Sequence, residues 1–334
     1  MTRILSLVCL LSALSCQKPG NNVMTVTGGM PASDMGVTLP HEHVLVDFVQ
    51  IDSITPNRWN RDSVVAKVLP YFQELKQYKV RTFVDCTPEF IGRDPQLLAM
   101  LSEKSKIRIL TNTGWYAADK ERHLPKEITE LTPEEISRIW IDEAKNGIGN
   151  TGIKPGFIKI GVNNIVLSDN DKKLVSAACL THLETGLTIM SHTGAGDAAL
   201  AQLEILKQYG VDPAAFIWTH AMVESSAAKF LEIYKQGAWI ALDGIKSDMV
   251  SSARISNQLK YLKSVRALDR VLLSHDAGWY DPAKPGGGTI RPYSELFGSF
   301  TLLLYSEGFT KEDMEQMTVK NPAEAFGIRV RKIK

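Results

Sequence analysis

The chain has 334 residues, 44% of them hydrophobic and 22% charged, the ordinary balance of a globular protein. Lys and Arg number 38 against 37 for Asp and Glu, so the charge argues for neither a nucleic-acid surface nor an acidic partner. The length fits two medium domains or one α/β barrel.

The chain opens with Arg3 and an apolar stretch from Ile4 to Leu14, too short to cross a bilayer as an ordinary helix. Ala13-Leu14-Ser15-Cys16 and a polar run follow. This pattern resembles a bacterial lipoprotein signal. It implies removal of residues 1–15, lipidation of Cys16 and a tether over 16–23. A plain secretory signal is the alternative. Either way the expected location is the bacterial cell envelope, lipid-anchored or periplasmic, with membrane contact only through that anchor. Residues 24–334 then read as one domain. Cys86 and Cys179 are too few for a disulfide framework and read as buried thiols.

Val23–Val37 reads as a small hairpin that plugs the base of the domain. Short apolar runs then mark eight strands: Gly36–Phe48, Val80–Pro88, Ile107–Tyr116, Gly156–Val162, Leu187–Thr193, Phe216–Ala221, Trp239–Ile245 and Arg270–Asp276. Helix-like segments alternate with them, including Asp62–Tyr78, Thr132–Asn146, Asn170–Glu184, Asp197–Gln208, Ser225–Gln236 and Ser252–Arg266. Thr132-Pro133-Glu134-Glu135 carries an N-cap, a proline at the first helical position and early carboxylates. Near-continuous hydrophobic strands alternating with helices imply a covered parallel sheet, and eight such units favour a (β/α)8 TIM barrel.

The chemistry-bearing residues fall at the C-terminal ends of these strands, where barrel enzymes keep their sites. Strand one ends in His41-Glu42-His43, whose imidazoles share one strand face. Strand four carries Lys159, strand five ends at His192, strand six at His220 and strand eight at Asp276. His275 falls on the other side of the pleat and reads as structural. His182, on a helix, does too, and His123, in the loop after strand three, reads as a surface histidine, with contact to substrate as the alternative.

This array resembles the phosphotriesterase family of the amidohydrolase superfamily, from about Val23 to Asn321-Pro322-Ala323. The resemblance implies two divalent metal ions per chain, with zinc the default. His41, His43 and Asp276 would hold the buried ion, and His192 and His220 the exposed one. Lys159, carboxylated on Nζ by carbon dioxide, would bridge them. Two dications about 4 Å apart need such a negative bridge, and carboxylation needs the neutral amine that burial favours. A bridging hydroxide would be the nucleophile, with Asp276 as proton acceptor. The resemblance also carries a homodimer.

The implied substrate is a small-molecule lactone or other ester, with weak hydrolysis of phosphotriesters. Trp115, Tyr116, Trp279 and Tyr280 are candidates for the pocket wall, and Lys246 and Arg291 for anchoring a carboxylate or phosphate. Gly278–Gly288 reads as a flexible loop over the pocket. Efficient phosphotriesterases place an Asp shortly after the strand-six His and a His after the strand-seven Asp. Here Ala-Met-Val follows His220 and Gly244 follows Asp243. The quorum-sensing lactonases usually have Arg in place of Gly244. Three alternatives stay open: a phosphotriesterase proper, an amidase or peptidase on the same scaffold, and a non-catalytic envelope binding lipoprotein.

Overall fold

The computed structural model describes residues 21–163 and 166–334. The signal segment, Cys16 and tether residues 16–20 lie outside the described residues. The last tether residues do not behave as a tether. Asn22 and Val23 begin strand β1 (Asn22–Thr25), which pairs antiparallel with β2 (Gly28–Pro31). Val23 is apolar enough to seek a core, and its side chain is fully buried.

The barrel strands follow: β3 (Val37–Leu45), β4 (Val80–Asp85), β5 (Arg108–Leu110) with β6 (Asn112–Thr113), β7 (Phe157–Gly161), β8 (Ile189–His192), β9 (Phe216–Thr219), β10 (Trp239–Leu242) and β11 (Val271–Leu273). All pair in parallel with their chain neighbours, and the third strand is split at Thr111 into β5 and β6. A further short strand, β12 (Gly278–Tyr280), pairs in parallel with β3. The sequence pattern places this segment in a flexible loop. The pairing closes the barrel instead, together with bonds from His43 N–H to the Ala277 carbonyl (3.0 Å) and from Asp276 N–H to the His41 carbonyl (3.1 Å).

Helices α1 (Arg61–Leu75), α2 (Pro95–Ser105), α3 (Pro133–Asn146), α4 (Asp169–Thr185), α5 (Gly196–Gln208), α6 (Ala227–Lys235) and α7 (Met249–Ser264) follow successive strands. Three short helices, α8 (Ser299–Ser306), α9 (Lys311–Glu315) and α10 (Asn321–Phe326), complete the C-terminal part. Capping starts α3 where expected, with Thr132 and Glu135 as a reciprocal pair, and Ser168 and Asp171 cap α4 in the same way.

Alternation along the strands makes two apolar layers. Ile158, Ile160, Ile189, Trp218 and Ile240 point outward and pack with helix residues such as Leu174, Leu203 and Leu259. Val84, Leu110, Phe157, Met190, Ile217, Trp239 and Leu272 point inward and fill the barrel with Val23 and Met35 of the N-terminal segment and Phe326 of α10. The same inward parity carries β7 from Phe157 to Lys159 and β8 from Met190 to His192. Apolar filling thus gives way to polar side chains toward the strand C-termini.

Candidate metal centre

His41 and His43 are both buried, as their shared face of β3 requires. His41 Nδ1 lies 2.6 Å from Asp243 Oδ2, and His220 Nδ1 lies 3.0 Å from Asp243 Oδ1. One carboxylate thus accepts from two Nδ1–H groups, which leaves both Nε2 atoms bare. His220 reaches this position through a left-handed backbone (φ 57°), and its own N–H also donates to Asp243. His43 Nδ1 donates to Thr87 Oγ1 (2.8 Å), whose hydroxyl donates to the Leu45 carbonyl. His43 Nε2 is therefore bare too, yet it sits 3.0 Å from Asp276 Oδ1. Two acceptors this close need a proton or a cation between them.

The second set is built alike. His220 Nε2 lies 2.8 Å from His192 Nδ1. Lys159 is 2% exposed, and its Nζ has no hydrogen-bond partner among the described residues. A buried ammonium without a partner is strongly unfavourable. An amine converted to a carboxylate and bound to cations is not. The donor set and the orphaned Nζ together fit a pair of divalent ions.

Electrostatics agree with that fit. Burial, with Lys159 adding to it, pushes His41 down to about 4, so the imidazole is neutral and able to bind a metal. Burial, then His220 and Lys159, hold His192 well below its usual value. Burial also opposes charge on His220, but Asp243 outweighs it and raises this histidine. Burial would raise Asp276 and Asp243, but the surrounding imidazoles win, and both carboxyls are held below their usual range. Groupings with metal-binding spacing are His41 with His43 and Asp276, and His41 with His220 and Asp243. Asp243 already binds both Nδ1 atoms in the second, so its geometry suits orienting ligands rather than being one.

A small cavity of about 50 Å³ lies over these groups, lined by Val46, Phe48, Cys86, Tyr116 and Trp279 among others. The Tyr116 ring meets His192 edge-on at 5.1 Å, with its hydroxyl 3.4 Å from Nε2. A side chain on Gly161 would collide with that ring. Trp279 meets the His43 ring at 5.4 Å and donates Nε1–H to the Asp276 carbonyl (3.1 Å).

The other wall and anchor candidates do not line this cavity. Trp115 turns into the strand–helix layer, where it packs against Trp140 and donates to Glu89. Tyr280 is held in β12 against Gly287, outside the cavity. Lys246 is an exposed loop side chain. Arg291 donates to the carbonyls of Asp276 (2.8 Å) and His275 (2.9 Å), so backbone already engages it. His275 donates Nδ1–H to Glu42 and accepts from Leu296 N–H. His123 is not at the surface: it is 4% exposed, with its ring tilted against Phe48 at 5.4 Å. Asp243, Thr87 and Phe48 were not among the sequence candidates. Asp243 has a readable signal, since it continues the inward parity of Trp239 and Ala241.

A parallel barrel whose strand ends gather bare imidazole nitrogens, a carboxylate and an orphaned lysine defines a metal-dependent hydrolase. Residues 21–326 match the phosphotriesterase family, and the chain belongs to it. It is 26% identical over 293 residues to the phosphotriesterase homology protein of Escherichia coli, covering 87% of this chain and 98% of that one. It is 27% identical over 248 residues to an aryldialkylphosphatase of Saccharolobus solfataricus, covering 73% and 78%. Among solved structures, a variant of a Deinococcus radiodurans PTE-like lactonase superposes with a TM-score of 0.81 at 29% identity, covering 91% of this chain and all of that one. The family is binuclear and metal-dependent, and this chain is an ester-cleaving hydrolase.

Proposed function

We propose that the protein hydrolyses a lactone or a related carboxylic ester, using two divalent ions, zinc by default. His41, His43 and Asp276 would hold one ion, His192 and His220 the other, and Lys159 carboxylated on Nζ would bridge them. Bound ions of this kind supply Lewis acidity toward an acyl oxygen and make water nucleophilic near neutral pH. The chain's own residues do the rest. Asp243 keeps the bare Nε2 atoms of His41 and His220 facing inward. Asp276, unprotonated and next to His43, is placed to take a proton from the attacking water. Tyr116 and Trp279 narrow the site and exclude bulk water.

The observation that carries this reading is the partnerless Nζ of Lys159 among bare imidazole nitrogens. A carboxylic ester is preferred over a phosphotriester because of Gly244. This position carries no side chain to serve as the His of efficient phosphotriesterases, and the flexible side chain of Met222 occupies the space beside it. The N-terminal reading stands beside this proposal: a signal over 1–15, lipid on Cys16, and one catalytic domain facing the cell envelope.

The test is elemental analysis and intact mass on the signal-free protein beside Lys159→Ala, followed by a panel of lactones, aryl esters, amides and phosphotriesters. The expected result is about two ions per chain in the parent, a mass gain of one carbon dioxide, loss of both in the variant, and lactone or ester turnover. A parent that stays metal-free after incubation with zinc and bicarbonate overturns it. Amide turnover alone would move the assignment to an amidase.

A further inference from the structure

The rings around the metal pocket form a continuous collar. His192 meets Tyr116 at 5.1 Å, Tyr116 meets His123 at 6.3 Å, His123 meets Phe48 at 5.4 Å, Phe48 meets Trp279 at 5.6 Å, and Trp279 meets His43 at 5.4 Å. Tyr116, Phe48 and Trp279 line the cavity. His123 closes the ring between two of them and carries no assigned role.

Two features of His123 are costly unless something uses them. First, it is 4% exposed, and its Nδ1 has no hydrogen-bond partner among the described residues. Second, the turn that delivers it is strained. Asp119, Lys120 and Glu121 are three consecutive left-handed residues, at φ 65°, 59° and 63°. Side chains with a Cβ avoid that region, and such strain persists where its surroundings enforce it. They do so here: Glu121 accepts from Ser168 Oγ (2.6 Å) and Asn170 Nδ2 (2.7 Å), and its N–H bonds the Ala117 carbonyl (2.9 Å). Asp119 lies 3.5 Å from His123 Nε2. Nε2–H facing that carboxylate leaves Nδ1 as the bare, accepting nitrogen. Burial holds this histidine below its usual value, which keeps the ring neutral near pH 7.

The cavity size brings Nδ1 into play. About 50 Å³ is far below the several hundred Å³ that small-molecule sites occupy. A second cavity of about 350 Å³ adjoins it, and both are bounded by Val46, Phe48 and Trp279. Of the collar rings, His123 is buried, Tyr116 is half-buried and Trp279 is tethered to the Asp276 carbonyl, whereas Phe48 is 49% exposed. Phe48 is the most exposed ring of the collar, and His123, which borders neither cavity itself, is its neighbour at 5.4 Å.

We propose that His123 is a substrate-binding residue: with Phe48 displaced, its Nδ1 accepts a hydrogen bond from a hydroxyl or amide N–H that the ester carries apart from its scissile group. This rests on the ester-hydrolase reading and narrows its substrate class to donor-bearing esters and lactones.

The test compares paired substrates on the metal-loaded protein: γ-butyrolactone with its α-hydroxy derivative, and phenyl butyrate with phenyl α-hydroxybutyrate. Three proteins are used: the parent, His123→Phe, which keeps a ring beside Phe48, and His123→Asn, whose Oδ1 keeps an acceptor near Nδ1. The parent should favour the hydroxylated member in kcat/KM by about 10-fold, the worth of one good hydrogen bond. His123→Phe should abolish that preference, mainly through KM, and His123→Asn should restore part of it. Independently of turnover, α-hydroxybutyrate but not butyrate should shift the His123 Nδ1 resonance in ¹⁵N NMR. Equal preference in parent and His123→Phe, or an unmoved Nδ1 resonance, overturns the role of His123 while leaving the hydrolase reading intact. A parent that turns over neither member of either pair overturns the hydrolase reading and this inference with it.

Discussion

Asp243 fixes two imidazoles with one carboxylate, and that arrangement can be tested at a single atom. In Asp243→Asn one of the two carboxylate oxygens becomes an NH₂, which cannot accept from an Nδ1–H. Either His41 or His220 must then change tautomer and present a protonated Nε2 inward. Partners of this kind tune metal affinity by about 10- to 100-fold. We expect Asp243→Asn to fold but to lose zinc to a chelator at concentrations about that much lower than the parent does. Equal retention would show that packing alone orients the rings. Much of the centre was legible from residue parity, because His41, His43, Lys159 and His192 each sit at an inward position of an apolar strand. Parity failed at Trp115 and Tyr116. Adjacent residues face opposite sides, and Gly114, at φ 117°, breaks the strand just before them, so the count along β6 no longer says which is inward. The burial of His123 was hidden for another reason: the ring packed against it, Phe48, comes from a loop far away in sequence.

The strands were legible because near-continuous apolar runs have few other places to go, and α3 and α4 start at their capping pairs. The element that escaped was β12, three residues whose strand character comes from its partner β3 rather than from its own sequence. The seam it completes depends on Glu42. This buried carboxylate accepts from Ser274 Oγ (2.8 Å), His275 N–H (3.0 Å), His275 Nδ1–H (2.6 Å) and Ala277 N–H (2.8 Å). It ties the end of β11 to β3 while its neighbours His41 and His43 face the metal pocket. Glu42→Gln places an NH₂ against donors that need an acceptor. Bonds to a buried charged group are each worth about 1.5–3 kcal/mol, so the change should destabilise the fold by about 3 kcal/mol or more. The urea midpoint of the metal-free protein measures this. An unchanged midpoint would mean that pairing between β12 and β3 holds the seam without the carboxylate.

Across the whole molecule the two barrel ends divide the work: the strand C-termini carry the chemistry, and the opposite end is closed by both ends of the described chain. Val23 and Met35 plug the base from the N-terminal side. From the C-terminal side, Ile328 N–H bonds the Asn22 carbonyl (2.8 Å), and Arg331 lies over α10 and reaches the carbonyls of Glu324 and Gly327. His182 of α4 locks this tail. Its Nδ1–H donates to the Leu187 carbonyl (2.8 Å), and its Nε2 accepts from Arg331 N–H (2.9 Å). The second bond is available only to the neutral ring, because a protonated Nε2 cannot accept. Burial, the dominant influence, lowers the pKa of His182 from its ordinary value near 6.5. The unfolded chain therefore takes up a proton below about pH 6.5 that the folded chain refuses. That contribution to stability is fully present above pH 6.5 and is lost as pH falls toward the folded-state pKa, at up to about 1.4 kcal/mol per pH unit. His41 and His192, also lowered, add the same sign in the metal-free protein. Replacing His182 by Gln removes one titrating group and leaves the others. Metal-free parent and His182→Gln, unfolded in urea at about pH 7.5 and about pH 5.5, should differ most at the higher pH, with the gap narrowing at the lower. A gap that stays constant would show that His182 acts through packing alone, and that acid sensitivity resides in the histidines of the metal pocket.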